Sequence, residues 1–409
     1  MNTVEIATDS KLQAELLHFV SWLDRYGETS YDHQSYFAGK LGRRAKELYY
    51  KKPLLGTLAV APMIFSEAFL PSARGLFWKR QRFPIADAHY AMGFAFLAEA
   101  LNDDRHYQRA VHFLEVLKET RCQGYSNYCW GYPFDWETRH GVLPVGTPMI
   151  TTIPYAYEAF LRVYQIDGDR KWLEIMRSIA QHALQDYPEV ATSPIASSCS
   201  YIPNPDGPFG VINASAYRGF LLTRAAVDFS DSQYERAALR NVNFVLESQN
   251  ADGSWYYSTD GARDFVDHFH TCFVLKALAK IEALTGNRAC TDAIQRGVEY
   301  YTKNLFDDEG LPKPFSRRPR MTVYRRELYD YAECINIAVL LKGRFPALDS
   351  ICAHVINMDG WLKPDGSFRS RQLLIGWDDV PMHRWAQSQM FRSLSFSLFQ
   401  SEVNQPRAS

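Results

Sequence analysis

An all-α fold closed into a ring is what this chain of 409 residues predicts, and three observations carry it. Apolar residues recur at helical spacing in one segment after another, as in Phe94, Phe96, Leu97 and Leu101, while strand-like alternation is scarce. From Ile85 onward, short polar links alternate strictly with long links rich in aromatic residues, Pro, Gly and charge. The last helical segment has no partner after it, which leaves an N-terminal segment free to pair with it.

Taken in order, the periodicity predicts an N-terminal helix near 10–25 and a short one near 40–50. Main helices follow near 85–101, 105–119, 151–166, 169–186, 213–228, 232–249, 265–284, 288–304, 327–342, 346–357 and 382–399. Links such as Asn102-Asp103-Asp104, Asp167-Gly168-Asp169, Ser230-Asp231-Ser232 and Thr285-Gly286-Asn287 are short enough for antiparallel helical hairpins. The long links are 51–84, 120–150, 187–212, 250–264, 305–326 and 358–381. Long links inside a compact domain are usually functional. Strict alternation puts every long link on one end of the array and every short link on the other. Pairing 382–399 with the N-terminal helix closes six hairpins into an (α/α)6 toroid. The whole chain, 1–409, is expected to be one toroid domain, with 26–84 an irregular extension packed on it.

The first helix of each pair starts just after a long link, and these starts are polar: His89-Tyr90, Thr151-Thr152, Asn213 to Ser215, Asp264 to His270, Glu327 to Glu333, and His383 to Trp385. In a toroid they converge on one cavity mouth. Helix N-termini favour anions, and the long links carry Arg139, Arg263, Arg317, Arg318, Arg320, Arg325, Arg326, Arg369 and Arg371. An acidic or phosphate-bearing substrate is therefore expected.

Bulk composition narrows the class. Lys+Arg 45 against Asp+Glu 46 leaves a formal net charge of -1, which argues against a nucleic-acid partner. No basic n-region opens the chain and no apolar run reaches membrane-span length, so no signal peptide and no membrane span are expected. The seven cysteines are scattered and odd in number, as reduced thiols of a cytoplasmic protein would be. There is no HExxH and no tight Cys/His set, so neither a metal site nor a cofactor is expected.

Four clusters have the residue types for chemistry. Trp130 to His140, WGYPFDWETRH, offers aromatic faces at Trp130, Tyr132 and Trp136, with charge at Asp135, Glu137, Arg139 and His140. Flat faces beside carboxylates suit sugar rings, and Asp135 with Glu137 could serve as acid and base. In the second, Asp264 and His268 are four apart and Asp267 and His270 three apart, so each pair can meet on a helix. A carboxylate-oriented histidine is a proton carrier near neutral pH. Asp267 and His270 are expected to face the cavity, with Phe265, Phe269 and Phe273 packed against the neighbouring outer helix. The third cluster holds Glu327, Tyr329, Asp330 and Glu333, and the fourth Asp378, Asp379, His383 and Arg384. The bland alternative for each is helix capping and solvated charge.

Three stretches carry a resemblance: WGYPFDW with LPVGTP (Trp130–Trp136 and Leu143–Pro148), FVDHFHT with FVL (Phe265–Thr271 and Phe273–Leu275), and RWAQ through MFR (Arg384–Gln387 and Met390–Arg392). Together they resemble the VpsJ-like family of bacterial polysaccharide-biosynthesis proteins over about residues 85–399. The resemblance implies a toroid working beside exopolysaccharide or surface-glycan machinery and brings no catalytic set. Gln249 to Trp255 also resembles the QW repeat of squalene-type cyclases, with a fainter echo at Asp365 to Phe368, but there is no DxDD acid motif. The expected function is thus a carbohydrate-active enzyme acting on a glycan or activated sugar precursor, by glycosidic cleavage or transfer or by epimerisation or elimination at a uronate. The alternatives are a terpene-cyclase-like toroid and a non-catalytic glycan-binding scaffold.

Overall fold

The computed structural model describes residues 3–139, 141–319, 321–357 and 360–403. His140 and Arg320 lie outside them. Fifteen helices are numbered in chain order: α1 (Thr3–Tyr26), α2 (Ser35–Ala38), α3 (Lys40–Lys51), α4 (Pro53–Phe69), α5 (Pro84–Leu101), α6 (Asp104–Glu119), α7 (Ile153–Asp167), α8 (Arg170–Gln185), α9 (Ile212–Phe229), α10 (Ser232–Glu247), α11 (His268–Thr285), α12 (Arg288–Asn304), α13 (Leu328–Leu340), α14 (Pro346–Ile356) and α15 (Ser388–Val403).

Helices α5, α7, α9, α11, α13 and α15 pack side by side in sequence order, and α15 returns to α5. Helices α6, α8, α10, α12, α14 and α1 lie outside, each against its own inner partner. This is the closed (α/α)6 ring. The inner helices are buried on nearly every face; in α9, all residues from Ile212 to Thr223 are buried. The outer helices bury one stripe, as Trp172, Ile175, Met176, Ile179 and Ala183 do in α8.

One device makes four of the short turns. Each inner helix ends on a residue in the left-handed region (Asn102, Gly168, Ser230, Gly286). The very next residue (Asp103, Asp169, Asp231, Asn287) caps the outer helix by accepting an N–H from two residues on.

The long links hold small antiparallel pieces that periodicity did not predict: β1 (Trp136–Thr138) with β2 (Gly141–Leu143), β3 (Glu189–Ala191) with β4 (Ser197–Cys199), β5 (Val266–Asp267) with β6 (Phe315–Arg317), and β7 (Tyr324–Glu327), β8 (Arg371–Leu373) and β9 (Trp377–Asp378) as one sheet. Segment 26–84 is more helical than expected. After the predicted helix near 40–50 comes α4, which packs on α3 as a hairpin. A Cβ on Gly56 would lie 2.0 Å from the Tyr49 Cα, so only glycine allows this close approach.

The QW-like turn is structural. Asp252 Oδ1 accepts from the Ser254 N–H and hydroxyl, and Asp365 does the same for Ser367. Gly253, at φ +90°, fits against the Arg296 carbonyl, where a Cβ would sit at 2.3 Å. Trp255 donates its indole N–H to the Val245 carbonyl at 2.9 Å. The turn thus locks the end of α10 onto α12.

Candidate active site

Helix α11 starts three residues later than periodicity indicated, at His268, and this decides the fate of its polar entrance. Asp267 is the N-cap: Oδ1 accepts the His270 N–H at 2.9 Å, and Oδ2 meets His270 Nδ1 at 2.6 Å. The cap and the pair are one structure. Asp267 is buried, while His270 keeps 21% of its side-chain surface, so its Nε2 side is the open one. The expected second pair does not form. Asp264 is bound to Arg317. His268 is fully buried, Nε2 against the Tyr301 hydroxyl at 2.7 Å and Nδ1 against the Leu305 and Lys313 carbonyls. Burial pushes its pKa down to about 3, so it stays neutral.

The phenylalanine stripe also turns inward instead of toward an outer helix. Phe269 lies 5.4 Å from Tyr329 and 5.7 Å from Trp385, and Phe273 lies 5.2 Å from Tyr217, ring centre to ring centre. Tyr257 packs edge-on to His270 at 4.7 Å. Trp385 and Arg384 come from a π-helical turn, His383–Gln387, ahead of α15; such turns are frequent at functional sites. Arg384 holds Asp32 through two hydrogen bonds of 2.8 and 2.6 Å and donates to the Tyr132 hydroxyl at 3.0 Å. Tyr132, Tyr257, Phe269, His270 and Trp385 remain half-buried. Together they form an aromatic wall with one proton-carrying group.

Below the wall lies a polar layer to which each of the six inner helices contributes: His89 (α5), Tyr155 (α7), Tyr217 (α9), Lys276 (α11), Glu333 (α13) and Arg392 (α15). Glu333 forms an ion pair with Lys276 and lies 3.5 Å from Arg392. Lys276 donates to the Tyr155 hydroxyl at 3.1 Å, which meets Tyr217 at 2.7 Å. Burial pulls Lys276 down to about 8, against the pull of Glu333. Both ring nitrogens of His89 are buried without a hydrogen-bond partner. Buried polar atoms are nearly always satisfied, by protein, water or ligand, so this layer is built to hold further polar groups.

Beside the wall, Glu327 accepts from Arg371 and from the Trp385 indole. Arg371 also donates to Glu67 at 2.8 Å, and His33 stands between these groups. Asp330 is fully buried with neither oxygen partnered. Burial, then Glu327 and Asp267, raise its pKa well above the usual range.

The remaining expected residues fall elsewhere. Trp130 is a core residue, fully buried, its indole N–H donated to the Leu117 carbonyl at 2.8 Å. Asp135 is tied to Arg43 at 2.5 Å and accepts the Val145 N–H. Glu137, on β1, is buried beside α3, where burial and Glu47 raise its pKa. Asp135 is thus engaged by a cation of the chain, and Glu137 is packed between β1 and α3. Trp136 packs 5.6 Å from Tyr132, and Arg139 is exposed beside the turn of that hairpin. Asp378 is locked to Arg74, both side chains being 0% exposed. His383 is a core histidine between the Tyr90 hydroxyl and the Gly27 carbonyl. Of the loop arginines, Arg263, Arg317, Arg326, Arg369 and Arg371 are all taken up by carboxylates of the chain.

A cleft of about 590 Å³ opens between Thr29, Lys79 to Arg82, Thr120 to Gln123 and Gly131 to Pro133. It shares Tyr132 with the inner wall but includes neither His270 nor any carboxylate, so the wall is the better candidate site. Sequence reasoning missed Asp32, His33, Glu67 and Lys276, placed Arg371 only among the loop arginines, and met Arg392 only inside the RWAQ–MFR stretch. Only Lys276 carried a signal, as a lone lysine among apolar neighbours two turns into a helix.

The sequence matches no family model and no curated protein. Its fold is shared with solved structures. A cellobiose 2-epimerase from Bacillus thermoamylovorans aligns at TM-score 0.61 and 10% identity, over 78% of this chain and 88% of that one. An unsaturated glucuronyl hydrolase specific for heparin aligns at 0.59 and 10%, over 80% and 89%. A family 76 glycoside hydrolase from Bacteroides thetaiotaomicron aligns at 0.57 and 13%, over 80% and 70%. At such identities the likeness establishes the (α/α)6 toroid.

Proposed function

We propose that this chain is a carbohydrate-active enzyme of bacterial surface- or exopolysaccharide biosynthesis, in which His270 moves a proton to or from a sugar. One observation carries the reading: the Asp267–His270 pair at 2.6 Å, its free edge turned to an aromatic wall above a polar layer with unpartnered buried atoms. Asp267 fixes the tautomer and stabilises the charged ring. Aromatic rings suit the C–H faces of a sugar, and His89 and Lys276 suit its hydroxyls. Fold neighbours that include epimerases, a lyase and glycoside hydrolases support the class. The VpsJ-like resemblance supports the biosynthetic setting and work beside other polysaccharide-biosynthesis proteins, and the seven free, buried cysteines support a cytoplasmic location. The glycan or activated sugar need not be acidic on account of the loop arginines, since carboxylates already take up most of them.

Epimerisation or elimination ranks ahead of glycosidic cleavage, because Asp135 is held by Arg43 and Glu137 is buried on β1 beside α3. A second reading, glycosidic cleavage with Asp330 as acid, rests on its raised carboxyl beside Asp267; its complete burial ranks it second. A hydrocarbon cyclase fits poorly with the Lys276–Glu333–Arg392 layer, since charge there opposes a dry apolar substrate. The test is incubation with reducing disaccharides and uronides in deuterated water. Deuterium entering the sugar beside its carbonyl or carboxylate, lost in His270→Gln, is the expected result. Elimination shows instead as a new unsaturated uronide, also lost in His270→Gln, so new reducing ends with neither deuterium nor a new double bond would favour the Asp330 reading. Neither reaction, with glycan binding retained, would leave a binding scaffold and overturn the enzyme reading.

A further inference from the structure

The cleft of about 590 Å³ beside the wall is lined by four cations, Lys79, Arg80, Arg82 and Arg121, and by no acidic residue. Arg82 is already engaged, with Glu28 at 2.5 Å and Asp87 at 3.1 Å. The other three form no ion pair among the described residues. Arg80 lies over the Tyr26 ring at 3.9 Å and donates to the Thr29 carbonyl at 3.0 Å and the Tyr26 carbonyl at 2.9 Å. Those acceptors are neutral, so the charge of Arg80 stays uncompensated. Arg121 lies over the Tyr128 ring at 4.9 Å, and Lys79 is exposed. These side chains differ in this from the loop arginines that carboxylates of the chain take up.

The segments that carry these cations are held in place. Gln81 pairs with Ser30 through two backbone hydrogen bonds of 2.9 and 2.8 Å, and its side-chain amide donates to the Pro133 carbonyl at 2.7 Å. Next to Arg121, the Cys122 N–H closes its turn on the Cys129 carbonyl at 2.8 Å. The rest of the lining is fixed within the 130–148 loop. The Gly146 N–H reaches the Tyr132 carbonyl at 3.1 Å, and a Cβ on Gly131 would lie 2.0 Å from the Thr147 carbonyl oxygen. A fixed frame keeps the ordering cost of binding low, and the volume falls in the range of about 300–1,000 Å³ typical of small-molecule sites.

Three uncompensated cations around one cleft call for more than one negative charge. A phosphate ester brings about −1.5 to −2 at pH 7 and three strong acceptor oxygens. A uronate carboxylate brings one charge and two oxygens. We propose that this cleft binds the phosphate of an activated sugar, with Lys79, Arg80 and Arg121 on the phosphate oxygens. Tyr132, common to the cleft and the wall, places the sugar beside the wall. The sugar rests on the carbohydrate reading above, whereas the grip on phosphate rests on the cleft alone.

The test is calorimetric titration of the full chain with inorganic phosphate, a hexose phosphate and an oligouronide. Both phosphates should bind, more weakly as salt rises, and the hexose phosphate should bind more tightly than inorganic phosphate. Lys79→Gln and Arg121→Gln should each raise the Kd for the hexose phosphate about tenfold or more, the scale of one hydrogen bond to a charged group. Neither substitution removes an ion pair, so the melting temperature should stay put. Lys303→Gln, on α12 and outside the cleft, should bind as wild type does. Binding is read without turnover, so it stands or falls apart from the deuterium test of His270. Absence of phosphate binding overturns the proposal, as does binding unchanged in Lys79→Gln with Arg121→Gln, or weakened equally by Lys303→Gln. A hexose phosphate bound no better than inorganic phosphate would give the cleft to a free anion, and an oligouronide bound more tightly than either would give it to a carboxylate chain; each overturns the proposal.

Discussion

Arg384, at the start of the last inner helix, grips Asp32 of the N-terminal extension through two hydrogen bonds of 2.8 and 2.6 Å, across 352 residues of sequence. The ring mouth and the extension are therefore one electrostatic unit. Arg74–Asp378 and Glu67–Arg371–Glu327 repeat the arrangement nearby. These pairs divide the expected site residues into those that position the mouth and those still free to meet a ligand.

His270 belongs to the second group. His270→Gln is expected to cut turnover about 100-fold or more, the usual scale for general acid–base catalysis, with an unchanged melting temperature. Asp267→Asn keeps the backbone cap but presents an amide to Nδ1, so it should lower turnover and alter the pH–rate profile. Full activity in folded His270→Gln would remove this histidine from the mechanism.

Asp378 belongs to the first. Its pair with Arg74 is 0% exposed on both sides, and removing one partner of a buried ion pair costs about 3–5 kcal/mol. Asp378→Asn should lose stability on that scale in denaturant unfolding. The specific activity of the fraction that remains folded should match wild type. A stable but inactive Asp378→Asn would return this residue to the chemistry.

The ring was legible because its signals are local. Asn102-Asp103, Gly168-Asp169, Ser230-Asp231 and Gly286-Asn287 each state a helix end and a helix start in two adjacent residues. Asp267 with His270 was legible for the same reason, being three residues apart. Helix α4 was not: Pro53, Gly56 and Pro62 read as breakers in a link, although Pro53 opens the helix and Gly56 serves a close approach to Tyr49. Asp135, Glu137, Asp378 and His383 look alike in sequence to residues that line a site. What decides each is a partner far away in the chain (Arg43, α3, Arg74, Tyr90), and no local pattern encodes that. The Phe265 to Phe273 spacing gave a helix face correctly but could not say which side of the helix faces the ring.

His268 supplies a test in acid. Its folded pKa of about 3 lies below the unfolded value near 6.5. The unfolded chain therefore takes up a proton that the folded one refuses, and stability falls as pH drops from about 6.5 toward 3, with no contribution above that window. His268→Asn should be less stable at pH 7, having lost hydrogen bonds, but should show a shallower fall in melting temperature between pH 6.5 and 4. Comparing the two proteins cancels Asp87, whose carboxyl is raised to about 7 by burial and acts in the opposite sense. Parallel curves would mean that His268 is not held neutral.

The polar layer makes the last prediction, and it turns on charge count. Glu333 is the one anion between two buried cations, Lys276 and Arg392. Glu333→Gln leaves both cations without it, so a loss of about 3–5 kcal/mol is expected. Lys276→Met leaves Glu333 with Arg392, a balanced pair, and should cost less. The pH dependence separates the two further. Lys276 is held at about 8 in the fold against 10.5 for an ordinary lysine, so its burial penalty is fully present below about 8 and is relieved as pH rises toward 10.5. Wild type should therefore gain stability from this group between pH 8 and 10, and Lys276→Met should lack that gain. Urea midpoints at both pH values, under reducing conditions, would show it. A larger loss in Lys276→Met than in Glu333→Gln would mean that the layer is organised around the lysine rather than the carboxylate.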